Sequence, residues 1–429
     1  MVVIFLLLLM VNAVFAIVIA RLFVRFPGSV VPIWFEIPVA ILVGWLIYRR
    51  GGKLLWPSIG ALVALYVIVW YGYKIPIKIP DGFLGLGPAG FWVVALFIYA
   101  WAASRLPVWL LLQPRDYVNS HQLFVALGII FLGVLVVNPE VVAPAVNHGL
   151  PPDAPSWFPL LFITIACGAI SGFHGLVASG TSAKQLDKET DARYVGYGGM
   201  IGEGMLALTS ILATTAGFAV FVGRDGWHAH YATWASASSG ATQAFVNGVG
   251  VLAEGIGIPH RVAVIFAAVV VISFAATTMD TGVRLQRYII SELGEHYGVR
   301  IAHNRWVATF VAVVSCGVLA LGIDRGAGGM RLWPLFGTTN QLTGALTLLV
   351  ISLFLLRLGR PIWVTLVPMV FLLFMTTWAM VLNLVQYYTE SHVLLLGVGA
   401  AIFVLELWLI FEAAGAVRQA FARHRPDTS

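Results

Sequence analysis

Apolar runs of roughly twenty residues recur along the whole 429-residue chain, separated by short polar breaks. A run of that length crosses the hydrocarbon core of a bilayer as one α-helix. In lipid, every backbone N–H and C=O must be satisfied within the segment, and a helix does this. The candidate spans are 2–20, 32–48, 54–72, 83–104, 122–138, 158–178, 196–222, 236–258, 262–282, 305–323, 333–356, 362–382 and 393–413. The run 236–258 is the weakest. It is rich in Ser, Gly, Ala and Thr and contains Gln243, Asn247 and Glu254. Read as re-entrant or interfacial, it leaves twelve spans. Composition excludes the other classes. Hydrophobic residues make up 60% and charged residues 10% of the chain, against about 25% charged in soluble domains. A disordered chain is excluded because so much apolar surface orders itself. The expected fold is an all-α, polytopic membrane helix bundle over residues 1–417, followed by a short basic tail, 418–429.

The net charge of +6 would suggest nucleic acid in a soluble protein. Here it reads as topology, because cytoplasmic loops accumulate Lys and Arg. With the C-terminus inside and twelve alternating spans, the inside loops hold seventeen of the 25 Lys and Arg residues. That count includes Lys53, Arg105, Arg115, Lys184, Arg284, Arg287, Arg305 and Arg425. Segments 139–157 and 383–392 contain neither Lys nor Arg, as external loops should. Both termini are therefore expected in the cytoplasm, with the chain in the inner (cytoplasmic) membrane. Counting 236–258 as a span would spoil the asymmetry. The first twenty residues lack a basic lead and an A-x-A-like site, so they read as a retained span. The two cysteines, Cys167 and Cys316, lie in apolar runs and read as small buried hydrophobes.

A charge at mid-membrane costs about 2.5–3.5 kcal/mol on insertion scales, so each one needs a reason. The most unusual segment is 166–184. Gly168, Gly172, Gly175 and Gly180 lie there among Ser171, His174, Ser179, Thr181 and Ser182. Glycines and hydroxyls weaken a helix and free its backbone carbonyls, and broken helices of this kind hold substrates and ions in secondary transporters. Close helix packing through small residues is the competing reading. Glu203 lies beyond Gly196, Gly198, Gly199 and Gly202, which would let another helix approach. An intramembrane Glu suits proton coupling or a buried hydrogen bond. Asp280 and Arg284 sit at i,i+4 and can pair on one helix face, or Asp280 contacts an ion or substrate. Glu406 can face a partner helix. Glu36, between Pro32 and Pro38, reads as a helix-entry residue in the interface.

The run Trp333-Pro334 to Asn340 and Gln341 opens a span with Pro in its first turn. Amides carry donor and acceptor together, so Asn340 and Gln341 can bind a carboxylate or Na⁺, or act as interhelical glue. Gln113-Pro-Arg-Asp-Tyr117 reads as a cytoplasmic turn in which Pro114 stops one helix and Asp116 caps the next. A gate ion pair through Arg115 is the alternative. Phosphate loops, GxSxG, HExxH and Cys/His metal spacings do not occur in the sequence, so no metal, cofactor or enzymatic chemistry is expected.

At these residues the sequence resembles the carbon starvation protein A (CstA) family of peptide and pyruvate transporters. The carrying motifs are Leu106-Pro-Val-Trp to Gln113-Pro-Arg-Asp-Tyr117; Phe162 to Gly172-Phe-His174 with Ser179-Gly-Thr181; Gly196-Tyr-Gly-Gly-Met with Glu203; Asp280-Thr-Gly with Arg284; and Leu332-Trp-Pro-Leu-Phe-Gly337 with Asn340 and Gln341. The resemblance covers about residues 12–380. It implies an amino acid–polyamine–organocation type fold of two inverted repeats, with 162–184 as the broken helix of the second. It further implies uptake of a small nutrient such as pyruvate or short peptides, coupled to H⁺ or Na⁺. Ser171, His174, Ser179, Thr181, Asn340 and Gln341 would line the substrate site. Glu203 or Asp280 would carry the coupling ion, and Arg115, Asp116 and Arg284 would form a gate or structural ion pair. Family members are longer and begin with several further helices. The resemblance thus leaves three alternatives: a partner chain that supplies them, a misassigned start, or a divergent short relative or decayed remnant. A non-transporting subunit or nutrient sensor is the rival function.

Overall fold

The computed structural model describes residues 1–50, 55–322 and 329–423. Lys53 and residues 424–429 of the tail, with Arg425, lie outside the described residues. The described chain is helical, with no strand among those residues. In order the helices are α1 (Val2–Arg25), α2 (Val30–Arg50), α3 (Leu55–Gly72), α4 (Pro88–Ala103), α5 (Leu112–Val137), α6 (Phe162–Ala169), α7 (Gly172–Gly180) and α8 (Asp191–Leu212). They continue with α9 (Phe218–His230), α10 (Trp234–Gly255), α11 (His260–His296), α12 (Arg305–Gly322), α13 (Trp333–Arg357), α14 (Trp363–Thr389) and α15 (Val393–Arg423).

Among the described residues, eleven helical segments are long and apolar enough to cross a membrane. The segments α6–α7 and α8–α9 each count as one. The expected span 83–104 becomes α4, an apolar helix of 16 residues; with it the segments number twelve. The run 236–258 forms α10, a continuous helix of 22 residues that is not among the eleven. Its Ser, Gln and Asn content lowers its hydropathy, while its second half is largely buried, from Val246 to Gly250 and at Leu252 and Ala253.

The start of α5 corrects the sequence reading. The span was expected from 122, yet the helix begins at Leu112 and runs through Pro114, Arg115 and Asp116. Proline is tolerated in a first turn because the missing N–H has no intrahelical partner there. Pro114 therefore opens this helix instead of ending one, and Asp116 is not its cap.

The chain divides into two compact units. One comprises residues 1–11, 155–192 and 330–429; the other comprises 12–154 and 193–329. In the first, α13 is central and packs against α6, α7, α14 and α15. Ala345, Leu349, Met369, Leu372 and Ala413 form a core cluster there. In the second, α11 is central, touching α2, α3, α4, α5, α10 and α12. Small residues set how closely α10 approaches residues 213–217: a Cβ added at Gly217 would lie 2.6 Å from the Gly248 carbonyl oxygen of α10. The first turn of α10 is held from a distance. Asp153 accepts the N–H groups of Trp234 (3.0 Å) and Ala235 (3.1 Å). These two bonds hold the exposed Asp153 carboxyl below the usual carboxylate range.

Candidate functional site

The first unit contains a helix broken inside an apolar segment. α6 ends at Ala169. Ile170 (φ −135°, ψ 95°) and Ser171 (φ −107°, ψ 123°) are extended, and α7 starts at Gly172. A break of this kind leaves amides and carbonyls without intrahelical partners, which lipid cannot supply. Asn340 of α13 answers part of that need. Its Oδ1 accepts the Phe173 N–H (2.8 Å), and its Nδ2 donates to Cys167 Sγ (3.0 Å) and Ser171 Oγ (3.1 Å). One amide thus ties the end of α6 to the start of α7. Ser171 is the N-cap of α7 and accepts from the His174 N–H.

Gly172 makes this approach sterically feasible. A Cβ there would collide with the Asn340 carbonyl oxygen and Thr343 Cβ, and would lie 2.6 Å from Gly344 N. Gly175 faces Thr347 in the same manner, whereas a Cβ at Gly168 would meet open space. Gln341 is fully buried, and neither its Nε2 nor its Oε1 has a partner among the described residues. A buried amide with four unused hydrogen-bonding sites is costly unless a ligand or water occupies them. His174 and Ser179 are exposed, and Thr181 is half-buried at the end of α7.

The second unit contains a buried charge cluster. Arg115 of α5 donates from Nε to Glu36 Oε1 (2.7 Å) and from Nη1 to Asp280 Oδ2 (2.6 Å). Tyr99 of α4 donates to the same Asp280 oxygen (2.7 Å) and accepts from Arg115 Nη1 (2.9 Å). Ser273 of α11 donates to Glu36 Oε2 (2.6 Å). Arg115, Glu36 and Asp280 are each at most 3% exposed. Two carboxylates share one guanidinium, so with all three ionised the cluster carries one excess negative charge. Asp280 Oδ1 and Arg115 Nη2 remain without partners among the described residues.

Several readings from sequence change here. Arg115 is not in a solvated turn but in the interior. Glu36 is not an interfacial residue; it is the second carboxylate of the cluster. Asp280 does not pair with Arg284. The Arg284 guanidinium is taken instead by the carbonyls at the end of α4, Leu106 (2.8 Å) and Ala103 (3.4 Å), the position where a helix terminus leaves acceptors free. Arg287 likewise bonds the Ser104 carbonyl (2.8 Å). Three of the seventeen cations counted as inside-loop charges, Arg115, Arg284 and Arg287, are therefore buried in the fold.

Asp116 lies beside Arg115 but is exposed and makes no ion pair among the described residues. Glu203 is exposed on α8, and a Cβ at Gly196, Gly198, Gly199, Gly202 or Gly204 would meet nothing within 4 Å. Among the described residues no helix uses those glycines for close packing. Glu406 is buried and accepts from Thr377 (3.0 Å) of α14. Sequence reasoning missed Tyr99, Ser273 and the role of Cys167. A tyrosine or serine in an apolar run carries no distinguishing signal. Glu36 did carry one, since Trp34, Phe35 and Ile37 flank it.

These features define the class: an all-α polytopic membrane protein with a helix broken within an apolar segment and a charge cluster buried in the bundle. The chain belongs to the carbon starvation protein CstA family, whose model matches residues 1–222 and 227–379. It is 30% identical over 462 residues to the pyruvate/proton symporter BtsT of Escherichia coli, covering 89% of this chain and 63% of that protein. It is 34% identical over 412 residues to the peptide transporter CstA of Mycobacterium tuberculosis, covering 82% and 53%. It is 32% identical over 385 residues to the peptide transporter CstA of Bacillus subtilis, covering 81% and 63%. The chain thus spans just over half to under two thirds of the length of these relatives. No solved structure matches it.

Proposed function

We propose that this chain is a secondary active transporter of the inner membrane that takes up a small anionic or zwitterionic nutrient, pyruvate or a short peptide, coupled to H⁺ or Na⁺. The observation that carries the reading is the break at Ile170–Ser171, held open by Asn340. Broken helices place helix termini and freed backbone groups where a charged substrate can meet them. In this reading Asn340 positions the break. Gln341 offers its unpartnered amide to the substrate, beside Ser171, His174, Ser179 and Thr181. Asp280, with its unpartnered oxygen in a cluster of excess negative charge, takes the coupling proton or ion; Glu203 is the alternative carrier. Arg115 and Arg284 keep structural roles, with Asp116 at the edge. The relatives, a pyruvate/proton symporter and peptide transporters, agree with this reading. In this reading both termini lie in the cytoplasm, which the loop charges support, and residues 1–417 are the transporter region with 418–429 as a tail.

A second reading is that a partner chain covers α8 and is needed for transport. The open glycine face around the exposed Glu203 favours it. Proteoliposomes holding the purified chain separate the two. Uptake of labelled pyruvate or dipeptide driven by an inward proton or Na⁺ gradient is expected. Robust flux from the chain alone removes the partner reading. No flux of any tested substrate, with or without co-purified proteins, overturns the transporter reading.

A further inference from the structure

At the end of α4, within the second unit, lies a cavity of about 440 Å³ that neither the broken helix nor the Arg115 cluster uses. Its lining includes Arg105, Arg284, Arg287, Arg305, His303 and Tyr288, and contains no Asp or Glu. Four arginines therefore line one space. None of them forms an ion pair with a carboxylate among the described residues.

Three of the arginines are held in place by contacts, and two of these keep a donor without a partner among the described residues. Arg284 and Arg287 cap the end of α4 through the Leu106, Ala103 and Ser104 carbonyls. Both are more than nine-tenths buried, and Arg284 Nε has no partner among the described residues. The Arg105 guanidinium lies between the rings of Trp101 and Trp306, 3.5 and 3.6 Å from their centroids, with Nη1 without a partner among the described residues. Arg287 lies over the Tyr288 ring at 4.8 Å. Helix capping accounts for two of the arginines and part of their donors. It does not account for four arginines lining one space, nor for the aromatic clamp that fixes Arg105.

We propose that this cavity binds a phosphate-bearing polyanion, with a diphosphate-class group facing the four arginines. Guanidinium groups match phosphoryl oxygens in paired, planar hydrogen bonds. A monocarboxylate brings one negative charge to four positive ones and leaves most of the repulsion in place, whereas a multiply charged phosphate group balances it. The volume falls within the range of small-ligand sites, roughly 300–1,000 Å³. Two sources share this chemistry, an anionic phospholipid headgroup and a soluble phosphorylated compound. The cavity opens at a helix end that the loop charges assign to the cytoplasm, where basic pockets between spans meet lipid headgroups. The inference concerns binding and does not depend on what the chain transports.

The test uses the full chain in phosphatidylcholine nanodiscs. In one arm inorganic pyrophosphate is titrated and the thermal unfolding midpoint is followed. In the other, discs doped with cardiolipin are analysed by native mass spectrometry for lipid retained by the protein. Stabilisation by pyrophosphate or selective retention of cardiolipin is expected, weakening as salt rises. Arg305→Gln, at an exposed position, should lower the affinity roughly tenfold or more through the lost charge-assisted bonds. Arg287→Gln should do the same if it folds. Arg224→Gln, a surface change outside the cavity, should leave binding unaltered. A pyrophosphate response alone assigns a soluble source, and cardiolipin retention alone assigns a lipid. Absence of both, or equal binding by the parent and Arg305→Gln, overturns the proposal.

Discussion

Arg115 stands between two carboxylates deep in the second unit, and the consequences of changing each partner are unequal. Replacing Arg115 with Met strands Glu36 and Asp280 together. Breaking a buried pair by removing one partner costs about 3–5 kcal/mol, so Arg115→Met should show a large loss of folded yield and a lowered unfolding midpoint. Asp280→Asn leaves Arg115 with Glu36, one charge against one. That variant should keep a near-parental unfolding midpoint in detergent while losing the dependence of uptake on the ion gradient. Unchanged coupling in Asp280→Asn would remove Asp280 from the coupling role and point to Glu203. Gln341→Ala removes an amide that has no partner among the described residues. It should leave stability within about 1 kcal/mol yet weaken substrate uptake; a large stability loss would instead mark it as packing.

At the scale of elements, the contact between α7 and α13 depends on one missing side chain. Gly172→Ala drives a methyl into the backbone of α13, so α6 and α7 must shift away from Asn340. Overpacking of this kind costs roughly 1–3 kcal/mol, and uptake should fall more steeply than stability because the break itself is displaced. Gly168→Ala, where a Cβ meets nothing, should be nearly silent; comparing the two variants by unfolding midpoint and flux checks both. The first turn of α10 offers a pH test. Hydrogen bonds from Trp234 and Ala235 lower the Asp153 carboxyl below its ordinary value of 3.8. Its contribution to stability is therefore present above that value and is lost as pH falls through the lower, folded-state value. Asp153→Ala should speed exchange of those two amides already at neutral pH.

Most of the helices were legible in the apolar runs, because a run of spanning length has one structure open to it in lipid. The break near 170 was legible too, since Gly168, Ser171, Gly172 and Gly175 concentrate what weakens a helix. The partner that holds it was half legible. Asn340 was singled out, but nothing along the chain links position 340 to Phe173 or Cys167, which lie more than 160 residues away. The charge cluster was misread for the same reason. Arg115 lies 79 residues from Glu36 and 165 from Asp280, and each residue had a satisfying local account: a turn, an interface, an i,i+4 pair. Local explanations win when the true partner sits on another helix.

For the whole molecule, the loop charges make a topology that can be measured. Single cysteines at His148 and Lys188, in a background lacking Cys167 and Cys316, should react with an impermeant thiol reagent from opposite sides, His148→Cys from outside and Lys188→Cys only from inside. Labelling of both from one side would overturn the assignment. The charge cluster also constrains how the sequence can change over time. A substitution at Arg115 alone exposes two carboxylates to the interior at once. Loss of either carboxylate first leaves a balanced pair, which can then be replaced only as a pair. The mutational route through this cluster therefore has a direction, and Arg115 cannot be the first of the three to go.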